Sequence, residues 1–387
     1  MRYATAALAA CGIALSLLMP VARAGDTKVN CRSHGPNGQV AAVLKGLDPA
    51  ATNIVHVSGH CVENLVIRGF DQLTLVAEHG AVIEGVSGVD DWVIQIGNSQ
   101  RVEVQGFIIQ GGIGVLCTQF SSCRFIGDTV QGTKAGAGLF NAAITVDGSD
   151  VLLDNVVVQD VVDLGIALYG ARAVVANNLS INGVRAATGF LGGAGLFITA
   201  GSLRNGPITI EGTDGTGLLA TAGSVLDISS LTVMYIGLQS SGSSNGVNIV
   251  NGAVGNFGQV TVQRSSGAGM LVQAANLEFY GPSVTISGNG GPGIFLQSGS
   301  RLLDFANPTV TNNQFGLYAL DVSFAFLSGG TFTGNAVEDI YCDASATVQG
   351  LGNLAPGAVI DCPHPASASA TVPKALTVPA TPALPSR

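Results

Sequence analysis

The chain has 387 residues, of which only 11% are charged and 47% apolar, with 54 glycines and a formal net charge of -9. That much apolar residue excludes an intrinsically disordered chain. The lack of Lys/Arg clusters excludes a protein that neutralises nucleic-acid phosphates, so no nucleic-acid partner is expected.

From the N-terminus, Arg2 followed by the apolar run 4–19 and Ala22-Arg23-Ala24 reads as a signal peptide over residues 1–24, cleaved before Gly25. Leu8-Ala9-Ala10-Cys11 offers a lipobox-like alternative, but too few residues precede the cysteine. No second apolar run of spanning length follows, so the mature chain is expected to carry no transmembrane segment and to be exported to the periplasm, cell surface or medium. Cleavage leaves six cysteines, Cys31, Cys61, Cys117, Cys123, Cys342 and Cys362. An even number in an exported chain points to disulfides. Proximity favours 31–61, 117–123 and 342–362, stapling the start, a loop and the end.

Residues 39–47 form the one amphipathic helical pattern, a cap ahead of a first strand at 52–57. Beyond it a Gly-apolar-x-apolar phrase recurs at Gly165, Gly195, Gly217, Gly246, Gly269, Gly293 and Gly316, then at Asp339 without its glycine. The steps are nearly equal, except for two longer ones that end at Gly195 and Gly246. Short alternating runs such as Pro207–Glu211 and Leu231–Val233 lie between the copies, separated by Gly, Asn and Ser. About three short strands per period of roughly 23 residues is the arithmetic of a parallel β-helix, each coil burying its inward side chains against its neighbours. Threonines 209, 232, 261, 285, 309 and 331 fall in one column, which strand propensity explains. Residues 25–362 are therefore expected as one all-β solenoid with an N-terminal capping helix. Residues 363–387, rich in Pro, Ala, Ser and Thr, have the composition of a disordered tail.

The repeat, together with Asn30-Cys31, the helix at 39–47 and Val57-Ser58-Gly59-His60-Cys61, resembles the right-handed parallel β-helix superfamily, the pectate-lyase-like fold, in its bacterial envelope-protein form. The resemblance covers residues 29–362. It implies the fold, and it implies a polysaccharide or an envelope or surface protein as partner. It does not imply one activity, because that superfamily holds lyases, hydrolases, epimerases, esterases and non-enzymes.

Catalytic signatures are sparse. Histidine is absent between His79 and His364, so the central rod has none for acid–base work. Asp147, Asp150, Asp154, Asp160 and Asp163, with Arg172 and Arg185 nearby, are the one place for a carboxylate pair or a Ca²⁺ ion. Asp147, Asp163, Arg172 and Arg185 are the catalytic candidates of a polysaccharide lyase or hydrolase. Turn-forming, solvating aspartates are the simpler reading, and no cofactor is expected. His34, His56, His60 and His79 read as ordinary residues of the cap and first coil.

In the repeated phrase the second and fourth positions should point inward and the third and fifth outward. The third-position column reads Ala167, Phe197, Leu219, Asn248, Leu271, Phe295, Tyr318 and Tyr341, and Tyr169 begins the fifth-position column. This weakly charged apolar and aromatic stripe is the expected binding face, making a non-catalytic glycan- or protein-binding solenoid the leading expectation. Extra residues at 118–141, 185–194 and 235–245 should rim the same face.

Overall fold

The computed structural model describes residues 25–31, 39–86, 91–134, 142–186, 192–238 and 243–363. The signal-peptide and tail assignments lie outside these residues, except for Pro363. Each coil contributes one strand to a thirteen-stranded sheet and then two legs to a 22-stranded sheet. One coil shows the plan: 142–147 in the smaller sheet, then the legs 150–154 and 156–162. Each strand pairs in parallel with its counterpart in the next coil, at 164–169, 172–175 and 179–185. The two legs run together as one bent strand in Val225–Ile236 and Val254–Ser265. This is a right-handed parallel β-helix, the hand that crossovers between parallel strands take. At about 4.8 Å per rung, thirteen rungs make a rod roughly 55–60 Å long.

The repeated glycine has a steric origin. A Cβ on Gly217 would stand 2.6 Å from Val233 Cγ1 and 2.6 Å from the Gly246 carbonyl oxygen. On Gly269 it would stand 2.7 Å from Ile286 Cγ2 and 2.7 Å from Gly293 O. From coil to coil, an inward β-branched side chain of the second leg presses back on the glycine that opens the first strand of its own coil, as Ile210 does on Gly195 and Val233 on Gly217. Neighbouring turns use polar ladders to satisfy backbone groups that the bend removes from the sheets. At one corner Ser121 Oγ accepts from Ser99 N (3.2 Å) and Ser149 Oγ from Ser121 N (3.1 Å). At another, the Asn313 side chain accepts from Asn289 N (3.1 Å) and that of Asn335 from Asn313 N (3.0 Å).

The helix Gln39–Gly46 buries Val40 and Leu44 against the first coils. Its N-terminal amides have a remote cap: the buried Glu63 carboxylate accepts from Val40 N (3.1 Å) and Ala41 N (2.9 Å). Burial raises the pKa of Glu63, and these two bonds oppose the rise.

Three features differ from the sequence expectation. A strand at Gly25–Cys31 precedes the helix and pairs in parallel with residues 53–59. Its alternation is short, and its partner comes after the helix, so local pattern does not reveal it. Charged Asp26 and Lys28 on this edge strand discourage further strand addition. Second, all three expected cysteine pairs are bonded, and Cys117–Cys123 closes the short corner 119–121 from inside the core rather than from the surface. Both residues are buried in the core, joining strand Val115–Thr118 to strand Ser122–Ile126.

Third, residues 118–141 are not one excursion, because they contain the regular strands Ser122–Ile126 and Thr129–Gln131. The aligned rungs run Leu65, Ile94, Val115, Ile144, Ile166, Leu196, Leu218 and Val247. The steps between them are alternately long and short, beginning and ending on a long one. The extra chain enters at one corner around residues 86–92, 134–141, 186–193 and 238–245, so the first of the four was not foreseen. Within these segments 87–90, 135–141, 187–191 and 239–242 lie outside the described residues.

Asp304 occupies an inward column otherwise filled by Phe257, Phe279 and Leu327, all completely buried. Its Oδ1 accepts from Ala306 N at 2.9 Å, while Oδ2 has no hydrogen-bond partner among the described residues. Burial lifts its pKa from 3.8 to about 7. The carboxyl is thus protonated in the fold and ionised in the unfolded chain between these values, so its contribution is fully present below pH ~4 and is lost as pH rises through ~7. Asp304→Asn should gain stability over the parent between pH 4 and 8, by on the order of 4 kcal/mol for such a shift. Parallel pH profiles in urea denaturation would contradict this. Glu63→Ala should cost about 1–3 kcal/mol by orphaning one buried and one part-buried amide, read as a lower unfolding midpoint and faster amide exchange at Val40 and Ala41.

Candidate functional site

The acidic cluster does not converge. Asp147 ends the strand Ala142–Asp147 and is aligned with Tyr169, whereas Asp163 precedes Leu164, which is aligned with Ala142. The two therefore stand at opposite ends of the same sheet, about six residues or ~20 Å apart along the strands. Arg172 faces neither. It makes a bidentate pair with Asp150, Nε–Oδ1 2.7 Å and Nη2–Oδ2 2.9 Å. Arg185 Nη2 lies 4.0 Å from Asp160, with both side chains largely exposed. Asp154 accepts from Asn155 and Asn177. Asp160 and Asp163 adopt positive φ of 51° and 73°, the behaviour of turn residues. Among the described residues, one group of His, Cys, Asp or Glu ligand atoms converges, that of Cys31, Cys61 and Glu63, and its two sulfurs are bonded to each other.

The stripe residues do form one ladder. Ala167, Phe197, Leu219, Asn248, Leu271, Phe295, Tyr318 and Tyr341 are successive partners across the thirteen-stranded sheet. Their exposure divides it in two. Ala167 is fully buried and Phe197 is 7% exposed, in a second apolar cluster with Ala142, Leu164 and Ala194 on the outer side of the sheet. Tyr169 and Leu219 pack against that cluster, and the Tyr169 and Phe197 rings lie 5.6 Å apart. Burial, and then Asp147, raise the pKa of Tyr169. Pointing outward therefore does not mean exposure here, and Ala167 and Phe197 are not part of an open face.

Towards the C-terminal coils the ladder stays half-exposed. Phe295 and Tyr318 lie 5.3 Å apart, and Tyr318 and Tyr341 are stacked at 5.0 Å. Phe315, two residues before the inward Leu317, adds its ring at 4.6 Å from Tyr318. Sequence reading missed Phe315 because it precedes the glycine of its repeat. Gln273 and Gln297, aligned with each other, flank the strip in the fifth-position column. Burial raises the pKa of Tyr318, keeping its hydroxyl neutral through the physiological range.

A concave feature lies on the second leg of the larger sheet, where the sequence pointed to no site. An open groove of about 470 Å³ is lined by Glu84, Gly85, Gln110, Gly111, Gln131, Gly132, Lys134 and Asp160. Glu84, Gln110, Gln131 and Gln159 are successive ladder partners. Their identities were available in the sequence, but unequal separations of 26, 21 and 28 concealed the column.

No protein-family model matches this chain, and no curated protein matches it. Among solved structures it is similar to the Dettilon tailspike protein, at 12% identity and TM-score 0.38 over 86% of this chain and 68% of that one. It is also similar to an alginate lyase from Paenibacillus sp. str. FPU-7, at 12% identity and TM-score 0.27 over 85% of this chain and 99% of that one. The assignment to the parallel β-helix class rests on the chain's own strand ladders. Its three disulfides are those of a protein outside the reducing cytoplasm. Among the described residues no helix is long and apolar enough to cross a membrane.

The Arg172–Asp150 pair is exposed, so a double-mutant cycle with Arg172→Ala and Asp150→Asn should return a coupling below about 1 kcal/mol. A coupling of several kcal/mol would show that the arginine is held for more than surface complementarity.

Proposed function

We propose that this protein is an exported, non-catalytic β-helix that binds glycan on the half-exposed aromatic part of its thirteen-stranded sheet. The supporting observation is the continuous run Leu271, Phe295, Tyr318 and Tyr341, widened by Phe315 and edged by Gln273 and Gln297. Apolar C–H faces of sugar rings pack on such a strip, and the amides and tyrosine hydroxyls take the sugar hydroxyls. Asn248 extends the polar edge one rung further. Rigid strands hold these groups in register, so little ordering entropy opposes binding. The catalytic alternative, a lyase or hydrolase using Asp147 and Asp163, has less support because the two carboxylates lie far beyond the ~5–10 Å of a glycosidase pair. The periplasm, the cell surface and the medium all suit such a protein.

The test is affinity electrophoresis against a panel of soluble polysaccharides, comparing the parent with Phe295→Ser/Tyr318→Ser. Retardation by at least one polysaccharide, with affinity reduced about ten- to a hundredfold in the double variant, is expected from losing two aromatic contacts. Thr285→Ala, on another face, should bind as the parent does. Equal retardation of parent and double variant would remove the strip from the site. Release of reducing or unsaturated sugar would reverse the non-catalytic reading.

A further inference from the structure

The groove on the second leg has an internal order that its outline alone does not show. Gln159 Nε2 donates to Gln131 Oε1 (2.8 Å), Gln131 Nε2 to Gln110 Oε1 (3.1 Å), and Gln110 Nε2 to Glu84 Oε2 (3.1 Å). His60 Nε2 lies 2.7 Å from the same Glu84 oxygen. An ionised carboxylate can only accept, so Glu84 fixes which end of Gln110 faces it, and each glutamine then fixes the next. The amides consequently share one orientation along the rod, polarised towards a charge.

A primary amide carries two N–H donors and two acceptor lone pairs, and the ladder uses only one N–H of each glutamine. Every rung therefore offers a second donor beside a carbonyl oxygen, repeated at about 4.8 Å. The groove floor beside this row is backbone at Gly85, Gly111 and Gly132, and at Gly132 no atom of the described residues beyond its chain neighbours lies within 4 Å of a Cβ position. At the Gly132 rung a ligand can thus lie alongside the amides without meeting a described side chain beneath it. Paired donors and acceptors at regular spacing complement a chain of hydroxyl pairs. The volume falls within the ~300–1,000 Å³ of ligand sites.

The charges select among polyhydroxylated ligands. Glu84 and Asp160 stand about three rungs, or ~14 Å, apart. Lys134 is exposed and makes no ion pair among the described residues. Arg185 stands 4.0 Å from Asp160 and His60 stands 2.7 Å from Glu84, so the groove offers no excess of positive charge, and the chain's net charge of -9 disfavours a polyanion. We infer that the groove over Glu84, Gln110, Gln131 and Lys134 is a separate binding site for a neutral oligosaccharide lying along the rod axis. It is independent of the aromatic strip, which belongs to the other sheet.

Titration calorimetry with cellohexaose, xylohexaose, mannohexaose and hexagalacturonate tests this on the parent, Gln131→Ala, Lys134→Ala and Phe295→Ser/Tyr318→Ser. At least one neutral hexasaccharide should bind the parent. Gln131→Ala, which interrupts the amide chain, should weaken that binding about tenfold. Lys134→Ala, at an exposed position where misfolding is not a concern, should weaken it severalfold. The aromatic double variant should keep this Gln131-dependent component. If binding is lost in the aromatic double variant yet unchanged in Gln131→Ala and Lys134→Ala, the groove is not a site and the strip is. The groove proposal also fails if no neutral hexasaccharide shows Gln131-dependent binding at millimolar concentration, or if hexagalacturonate binds there more tightly than every neutral sugar.

Discussion

The structure depends on one contact, the packing of an inward Ile or Val of the second leg against the glycine that opens the first strand of the same coil. Ile210, Val233, Val262 and Ile286 stand where the Cβ of Gly195, Gly217, Gly246 and Gly269 would be, at 2.5–2.7 Å. Any larger residue would push the two sheets apart at that corner. The contact fixes where each strand of the smaller sheet begins, and so which of its residues face out. A shift of one residue would turn the aromatic column into the core and the isoleucines and leucines into solvent.

Stacking then turns single residues into columns. Inside, the columns are apolar, with Asp304 a buried exception and serine and asparagine ladders restricted to the corners. Outside, the two sheets acquire different chemistry. The smaller sheet carries aromatic side chains in its C-terminal coils, and the second leg of the larger one carries oriented amides. Both faces are rigid and both repeat at the rung spacing, a geometry that suits ligands which are themselves repetitive. The alternation of long and short coils is confined to the first eight aligned rungs, so the rod's two halves differ in the length of their coils.

Much of the solenoid was legible in the linear pattern. The glycine phrase, the alternating runs between its copies and the cysteine pairs all report local constraints, and each reappears in the structure. The strand Gly25–Cys31 was not legible, because its partner follows an intervening helix. The Cys117–Cys123 pair was legible as a bond but not as part of the core, since two cysteines so close in sequence suggest a loop when the strands on either side are unseen. The third-position stripe was legible as a column, yet its division into a covered part at Ala167 and Phe197 and an open part at Phe295 and Tyr318 was not. Periodicity tells which side of a sheet a residue occupies and is silent about what else lies on that side.

The sequence by itself determined the winding, the phase of the repeat and the bonded cysteines, because these follow from sterics and spacing within one or two coils. Only the tertiary structure decided how the candidate side chains meet. It placed Asp147 and Asp163 at opposite ends of two neighbouring strands, matched Arg172 with Asp150, and aligned Glu84 with Gln110, Gln131 and Gln159. The physical reason is that coils of unequal length bring residues into register through the whole path of the intervening chain, and no local window contains that path.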